Sequence, residues 1–145
     1  MVARRLGALK WIVCASPAYL AEHGTPKSPQ DLAKHNCIVH KRLASERIWR
    51  FTGRRSVKVS GSFATNSDVI VHKAALSGTG IAQLPTYFVA EDLRAGRLVQ
   101  MPANFDLPEG VVFALLPNQR AISRRVRLFL SFLQRWYRSG PWNKP

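Results

Sequence analysis

The chain has 145 residues, 46% of them hydrophobic, which is enough for a domain with its own core and too much for a disordered tail. Lysine and arginine number 22 against 8 acids, so the net charge is +14 and the surface favours polyanions over cations. Two cysteines, Cys14 and Cys37, both inside apolar runs, exclude a disulfide framework and fit a reducing cytoplasm.

Taken in chain order, the opening residues pair Arg4 and Arg5 with a later apolar stretch, a pattern loosely like an export signal. Lys10 interrupts that stretch and leaves only WIVCA, shorter than a signal core of roughly 7–15 residues. No apolar run approaches the roughly 18 residues of a membrane span. Residues 6–15 (LGALKWIVCA) predict one buried strand. SPAYLAEHG and SPQDLAKH each predict a short helix, with Ser16 and Ser28 as caps and Pro17 and Pro29 at the first helical position. NCIVH (36–40) predicts a strand. From Lys41 to Lys58 the chain carries seven Lys or Arg and one acid, Glu46. Within that stretch IWRFT and SVKVSG alternate, which predicts a hairpin turning at Gly53-Arg54 with its charges on the solvated face.

SFATNSD ends a strand and opens a helix with Asn66 or Ser67 as cap and Asp68 in the favoured first turn. GIAQLP predicts a buried strand, TYFVAEDLRAG a helix stopped by Gly96, RLVQM a strand, and VVFALLP a strong buried strand. The last helix is expected over about 122–138. Ile122, Val126, Phe129, Leu130, Leu133 and Tyr137 share one face, and Leu128, Phe132 and Trp136 form a second stripe. The segment 139–145 is expected to be a frayed tail. Strands alternate with helices, so the class is α/β with a mainly parallel sheet.

Several strings in fixed order carry a resemblance: VARRL, CASPAYLAEHGTPKSPQDLAKHNCIV, WRF, AALSGTGIAQLPTYFVAEDLRAGRLVQ and ALLPNQRAISRRVRLFLSFL. Over residues 2–138 they resemble the effector-binding region of LysR-type transcriptional regulators. The resemblance implies a fold like the type II periplasmic binding proteins, in which two α/β subdomains close on a small molecule. It implies one complete α/β subdomain at about 15–101, and a returning strand and C-terminal helix of the other subdomain at about 111–138. It also implies a cytoplasmic effector sensor without a cofactor. DNA would be reached only through an N-terminal winged helix-turn-helix that these residues do not contain. Family members also resemble dimers built through the first subdomain, so a homo-oligomer is expected. A stand-alone small-molecule-binding module, such as a solute-binding protein fragment, is the alternative. A free-standing nucleic-acid binder is a third reading, resting on charge alone.

No catalytic constellation is present in the sequence. His23, His35, His40 and His72 are scattered, no Ser stands in GxSxG, and no CxxC or HExxH marks a metal site. GTGIAQ holds two glycines of a dinucleotide fingerprint but precedes a strand, so it predicts a tight turn instead. A sensor cleft is better founded, because ligands of open α/β sheets sit beyond the carboxyl ends of strands. Four strand ends supply candidates: Ser16 and Pro17; His40 and Lys41; Asn66, Ser67 and Asp68; and Pro85 with Tyr87. Helix-terminal amides at Ser67–Val69 and the Lys41-Arg42 pair favour a small organic acid, aromatic or carboxylate, as effector. Leu128, Phe129, Phe132, Leu133 and Trp136 are the candidate oligomerisation residues.

Overall fold

The computed structural model describes residues 1–41, 47–117 and 122–140. It divides into two compact units: Met1–Lys10 with Glu109–Pro145, and Trp11–Pro108. The apolar run expected as one strand therefore serves two units. β1 (Val2–Leu9) and β2 (Trp11–Ala15) are separate strands that meet at Lys10. Apolar periodicity runs through the junction because each half finds its own partner strand, and only the partners distinguish the two halves.

In the first unit β1 pairs antiparallel with β9 (Gly110–Leu116), from Val2↔Leu116 to Leu9↔Gly110, with a register shift between Arg5 and Gly7. α4 (Arg124–Ser139) packs on this ribbon, its first turn capped by Ser123 Oγ, which accepts from Val126 N at 3.3 Å. Tyr137 crosses Gly7, where any Cβ would collide with the ring, and its hydroxyl donates to Ala8 O at 2.9 Å. Leu130 is buried against the ribbon. The expectation that VVFALLP is fully buried fails here. Val111, Phe113 and Leu115 alternate outward and are exposed, because α4 covers only one face of the ribbon.

The second unit holds a three-stranded ladder in the order β7-β2-β8, formed by β7 (Ala82–Pro85), β2 and β8 (Val99–Gln100). β3 (Val39–His40) pairs parallel with β6 (Ala64–Thr65), and a parallel bridge Cys37↔Ile81 links this pair to β7. Both β7 and β8 run against β2, so β3, β6, β7 and β8 point one way and β2 alone opposes them. The expectation of a mainly parallel sheet is met only in part: β3 with β6 and the bridges at Asn36 and Cys37 are parallel, whereas β7 and β8 pair antiparallel with β2, and the hairpin and the β1–β9 ribbon are antiparallel too. Strand–helix alternation dictates the class but not the direction of a strand inserted between two others.

Side chains alternate across β2 and fill two cores. Val13 and Ala15 join Tyr19, Leu32, Trp49, Phe51, Ile81 and Phe105 on one face. Ile12 and Cys14 join Val71, Ala75, Leu84, Val89 and Leu98 on the other, under α2 (Asp68–Leu76) and α3 (Thr86–Arg94). α1 (Pro17–His23) is capped as expected, Ser16 Oγ accepting from Tyr19 N at 3.2 Å. The second short helix is a 3₁₀ turn, Pro29–Lys34. Asp31 holds its start by accepting from the backbone amides of Lys27 and Ser28 at 3.0 and 2.9 Å. The hairpin appears as expected, β4 (Ile48–Phe51) against β5 (Arg55–Lys58), with Trp49, Phe51 and Val57 inward and Arg50 and Lys58 outward. The expected tail at 139–145 lies, from 141 on, outside the described residues.

Cys14 and Cys37 are fully buried and free. Burial pushes both thiols up to about 12, with the Asp92 charge adding to the effect at Cys14. Only a thiolate reacts, so both should label slowly in native buffer and quickly in denaturant. A mass-spectrometric time course with an alkylating reagent checks this; fast native labelling of both would contradict the packing described.

Candidate functional site

The directions of the strands decide which expected residues meet. β3, β6 and β7 run in parallel, so their carboxyl ends share one edge of the second unit, bearing His40, Thr65 and Pro85. Trp11, the first residue of the unit, pairs with Pro85 and stands at the same edge. α2 and α3 both begin here, at Asp68 and Thr86. His40, Lys41, Asn66, Ser67, Asp68, Pro85 and Tyr87 are thus brought to one edge. Ser16 and Pro17 are not. β2 opposes its neighbours, so its carboxyl end lies at the far edge, where Ser16 is buried beside Gly78 and occupied in capping α1.

The edge is held by backbone and side-chain bonds. Lys41 N donates to Thr65 O at 2.6 Å, which extends the β3–β6 pairing and leaves the Lys41 side chain exposed. His40 Nε2 lies 3.3 Å from Asp68 Oδ1, joining the end of β3 to the first turn of α2. Ser67 occupies the N-cap position, but no side chain caps the helix. Its carbonyl accepts from the amides of Ile70 and Val71 at 3.1 and 3.0 Å, and its own amide donates to Thr65 Oγ1 at 3.2 Å. Val69, Ile70 and Tyr87 stand out, each about half exposed at 51%, 47% and 50%. Among the described residues the edge therefore combines two helix N-termini, the Lys41 cation, a carboxylate already facing a histidine, and three accessible apolar side chains. Arg42, expected beside Lys41, lies outside the described residues.

Two polar clusters escaped the sequence reading. Asp92, buried, accepts from Arg97 Nε and pairs with His72 Nε2, each at 2.6 Å. Burial alone would raise its carboxyl. The hydrogen bonds and charges of Arg97 and His72 outweigh that and hold it below the usual carboxylate range. This clamp ties α2 to α3 and is structural. Asn36 is the second. Its Nδ2 donates to Thr79 O and Ser62 Oγ at 2.7 and 3.1 Å, and its Oδ1 accepts from Ser62 N at 2.8 Å. Its own amide donates to the Tyr19 hydroxyl at 3.0 Å. Both clusters join positions far apart in the sequence, which no local spacing reveals. Among the described residues, no three His, Cys, Asp or Glu converge as a metal site, and no helix is long and apolar enough to cross a membrane. A cleft of about 530 Å³ opens in the first unit, lined by Val2, Leu116, Ile122 and Leu130, and contains none of the expected effector residues.

The profile of the family described as LysR substrate binding domain matches residues 1–138. Among characterised proteins, the chain is 33% identical over 135 residues to the HTH-type transcriptional regulator PtxR of Pseudomonas aeruginosa, covering 91% of this chain and 43% of PtxR. It is 34% identical over 141 residues to the HTH-type transcriptional regulator DmlR of Escherichia coli, covering 94% and 46%. Among solved structures it resembles the regulatory domain of CrgA, a LysR-type transcriptional regulator from Neisseria meningitidis. There the TM-score is 0.79 at 33% identity, over 92% of this chain and 68% of that one. The chain spans less than half the length of these two sequence relatives.

Proposed function

We propose, from the premise that this chain belongs to the LysR substrate-binding domain family, that it is the effector-sensing and self-associating part of a cytoplasmic transcription regulator. The effector is a small organic acid. It sits at the edge formed by His40, Lys41, Asn66, Ser67, Asp68, Pro85 and Tyr87. The observation that carries this reading is the convergence of three parallel strand ends and two helix starts on a single edge. Asp68 argues against an anion by its charge, and His40 at 3.3 Å is placed to offset it. Tyr87, Val69 and Ile70 supply apolar surface for the body of the ligand. Catalysis has no part in the reading: the relatives are named as regulators. The thiols of Cys14 and Cys37, buried and free, support a reducing compartment.

Thermal-shift screening of the chain tests the reading with matched sets of aliphatic and aromatic acids, their amides and their amines. An acid should raise the melting temperature, since a ligand at 100 times its Kd stabilises the native state by about 2.7 kcal/mol. Lys41→Ala and Tyr87→Ala should each reduce that shift without lowering the melting temperature of the unliganded chain. Stabilisation by amides or amines alone would sink the assignment of an acidic effector.

A further inference from the structure

We propose that the β4–β5 hairpin is a second, sequence-independent contact for the phosphate backbone of double-stranded DNA. The proposal stands on surface charge and does not depend on the effector edge.

The hairpin presents cations on a rigid frame. Trp49 and Phe51 anchor it from beneath, and Phe51 meets Phe105 edge to face with ring centroids 6.3 Å apart. With those side chains inward, Arg50 and Lys58 emerge on the opposite face, beside the exposed Ile48 and Ser56. Arg47 stands exposed at the base. Arg54, in the turn, is exposed and takes a φ of 57°, the one non-glycine residue with positive φ among the described residues. Arg55 secures the tip, donating to Thr52 O at 3.1 Å and Asn104 O at 3.0 Å. Asn104 in turn donates to Lys27 O at 2.7 Å, which brings Lys27 to the same tip. Among the described residues two acids lie near the tip. Asp31 is engaged with the amides of Lys27 and Ser28, and Asp106, exposed, is the other described acid next to the tip through its backbone bond to Thr52.

The chemistry separates this surface from the other basic element. α4 carries five arginines and no acid, but Leu128, Phe129, Phe132 and Trp136 emerge among them. Protein–DNA interfaces are polar, wet and positively charged, so the hairpin fits phosphates and α4 does not. With Ile48 as its single exposed apolar side chain, the hairpin also lacks what an interfacial membrane element needs. The relatives' own description as helix-turn-helix regulators makes DNA the polyanion at hand. A helix-turn-helix reads bases; the hairpin would add affinity and orientation on the flanking duplex.

The test is fluorescence anisotropy of the 145-residue chain with two unrelated labelled duplexes over a salt series. Both duplexes should bind alike. For about four phosphates the log–log slope of affinity against salt is about −3.6, a loss of about 100-fold between roughly 50 and 200 mM. Arg50→Glu with Lys58→Glu should flatten the slope by about two. Arg124→Glu with Arg138→Glu, the same change of net charge on α4, should leave it unchanged. Arg54→Gln with Lys58→Gln gives a milder second variant should the first pair fail to fold by circular dichroism. Equal weakening by the α4 pair would reduce the effect to net charge and overturn the proposal. Strong discrimination between the duplexes, or tighter binding to anionic vesicles than to DNA, would overturn it as well.

Discussion

Gly61→Ala and Gly80→Ala should each destabilise the second unit far more than a glycine substitution ordinarily does. At Gly61 a Cβ would fall inside the carbonyl oxygen of Cys37 and 2.8 Å from its carbon; at Gly80 it would do the same to the carbonyl of Asn36, 3.1 Å from that carbon. In both cases the obstacle is backbone, so no rotamer relieves the clash. Both obstructions fall in hydrogen-bonded backbone: the Asn36 carbonyl accepts from Ile81 N at 2.9 Å, and the Cys37 amide, one peptide unit from the obstructed carbonyl, donates to Ser60 O at 2.9 Å. Overpacking a tight core costs about 1–3 kcal/mol and occasionally more. A backbone obstruction where the segment leading into β3 bridges Ser60 on one side and Ile81 on the other belongs at the top of that range. Gly110→Ala is the control, since its Cβ would meet Leu9 at an ordinary 3.4 Å without a positive φ. Urea titrations followed by circular dichroism should show large losses of midpoint for the first two and a small change for the third. Wild-type midpoints for Gly61→Ala and Gly80→Ala would mean that the crossing of these strands is misplaced.

The two glycines illustrate what a linear reading captures and what it misses. GTGIAQ is legible as a tight turn, yet the reason for Gly80 is Asn36, more than forty positions away. The hairpin was fully legible, because alternation of Trp49, Phe51 and Val57 with Arg50 and Lys58 encodes both pairing and orientation. The cap at Ser16 was legible for the same reason, that it acts within one turn; Ser28 takes the N-cap position as expected, but Asp31 makes the bonds to the backbone there. Strand direction was not. Ser16 and Asn66 look equivalent as strand ends, and only the reversal of β2 sends them to opposite edges. The outward face of β9 was hidden in the same way. An apolar run such as VVFALLP says that a strand wants covering on both faces, not that both faces are covered. The Asp92 clamp was illegible because His72, Asp92 and Arg97 lie on two helices and a loop that only the fold brings together.

That outward apolar surface leads to the remaining large effect: Leu128→Lys with Phe132→Lys should convert a self-associating chain into a monomer. Of the five candidate residues, Leu133 is the one that is half-buried, because it lies on the side of α4 that turns the buried Leu130 toward the ribbon. Phe129 leaves that stripe and joins Leu128, Phe132 and Trp136, which are exposed at 50–62%. On the face of the ribbon turned away from the helix, β9 adds Val111, Phe113 and Leu115. Among the described residues β1 and β9 pair only with each other, and a two-stranded ribbon is marginal by itself. A second copy offers both what the open edges need and what the apolar faces need, and a two-fold interface uses each substituted position twice. Burying a Leu or Phe side chain is worth about 1.5–3 kcal/mol. Losing two of them therefore weakens association by at least about 100-fold. Phe113→Lys with Leu115→Lys asks the same of the ribbon face, so the pair that abolishes the dimer identifies the face that makes it. Light scattering after size exclusion gives the mass, and the slow native labelling of the buried Cys14 and Cys37 should stay unchanged in both variants, which shows that the second unit remains folded. Salt supplies a further check. The arginines flanking the stripe repel their copies, so association should tighten as salt rises, opposite to the behaviour expected of DNA on the hairpin. A wild-type chain that stays monomeric at high micromolar concentration, at low and high salt alike, would rule out this interface.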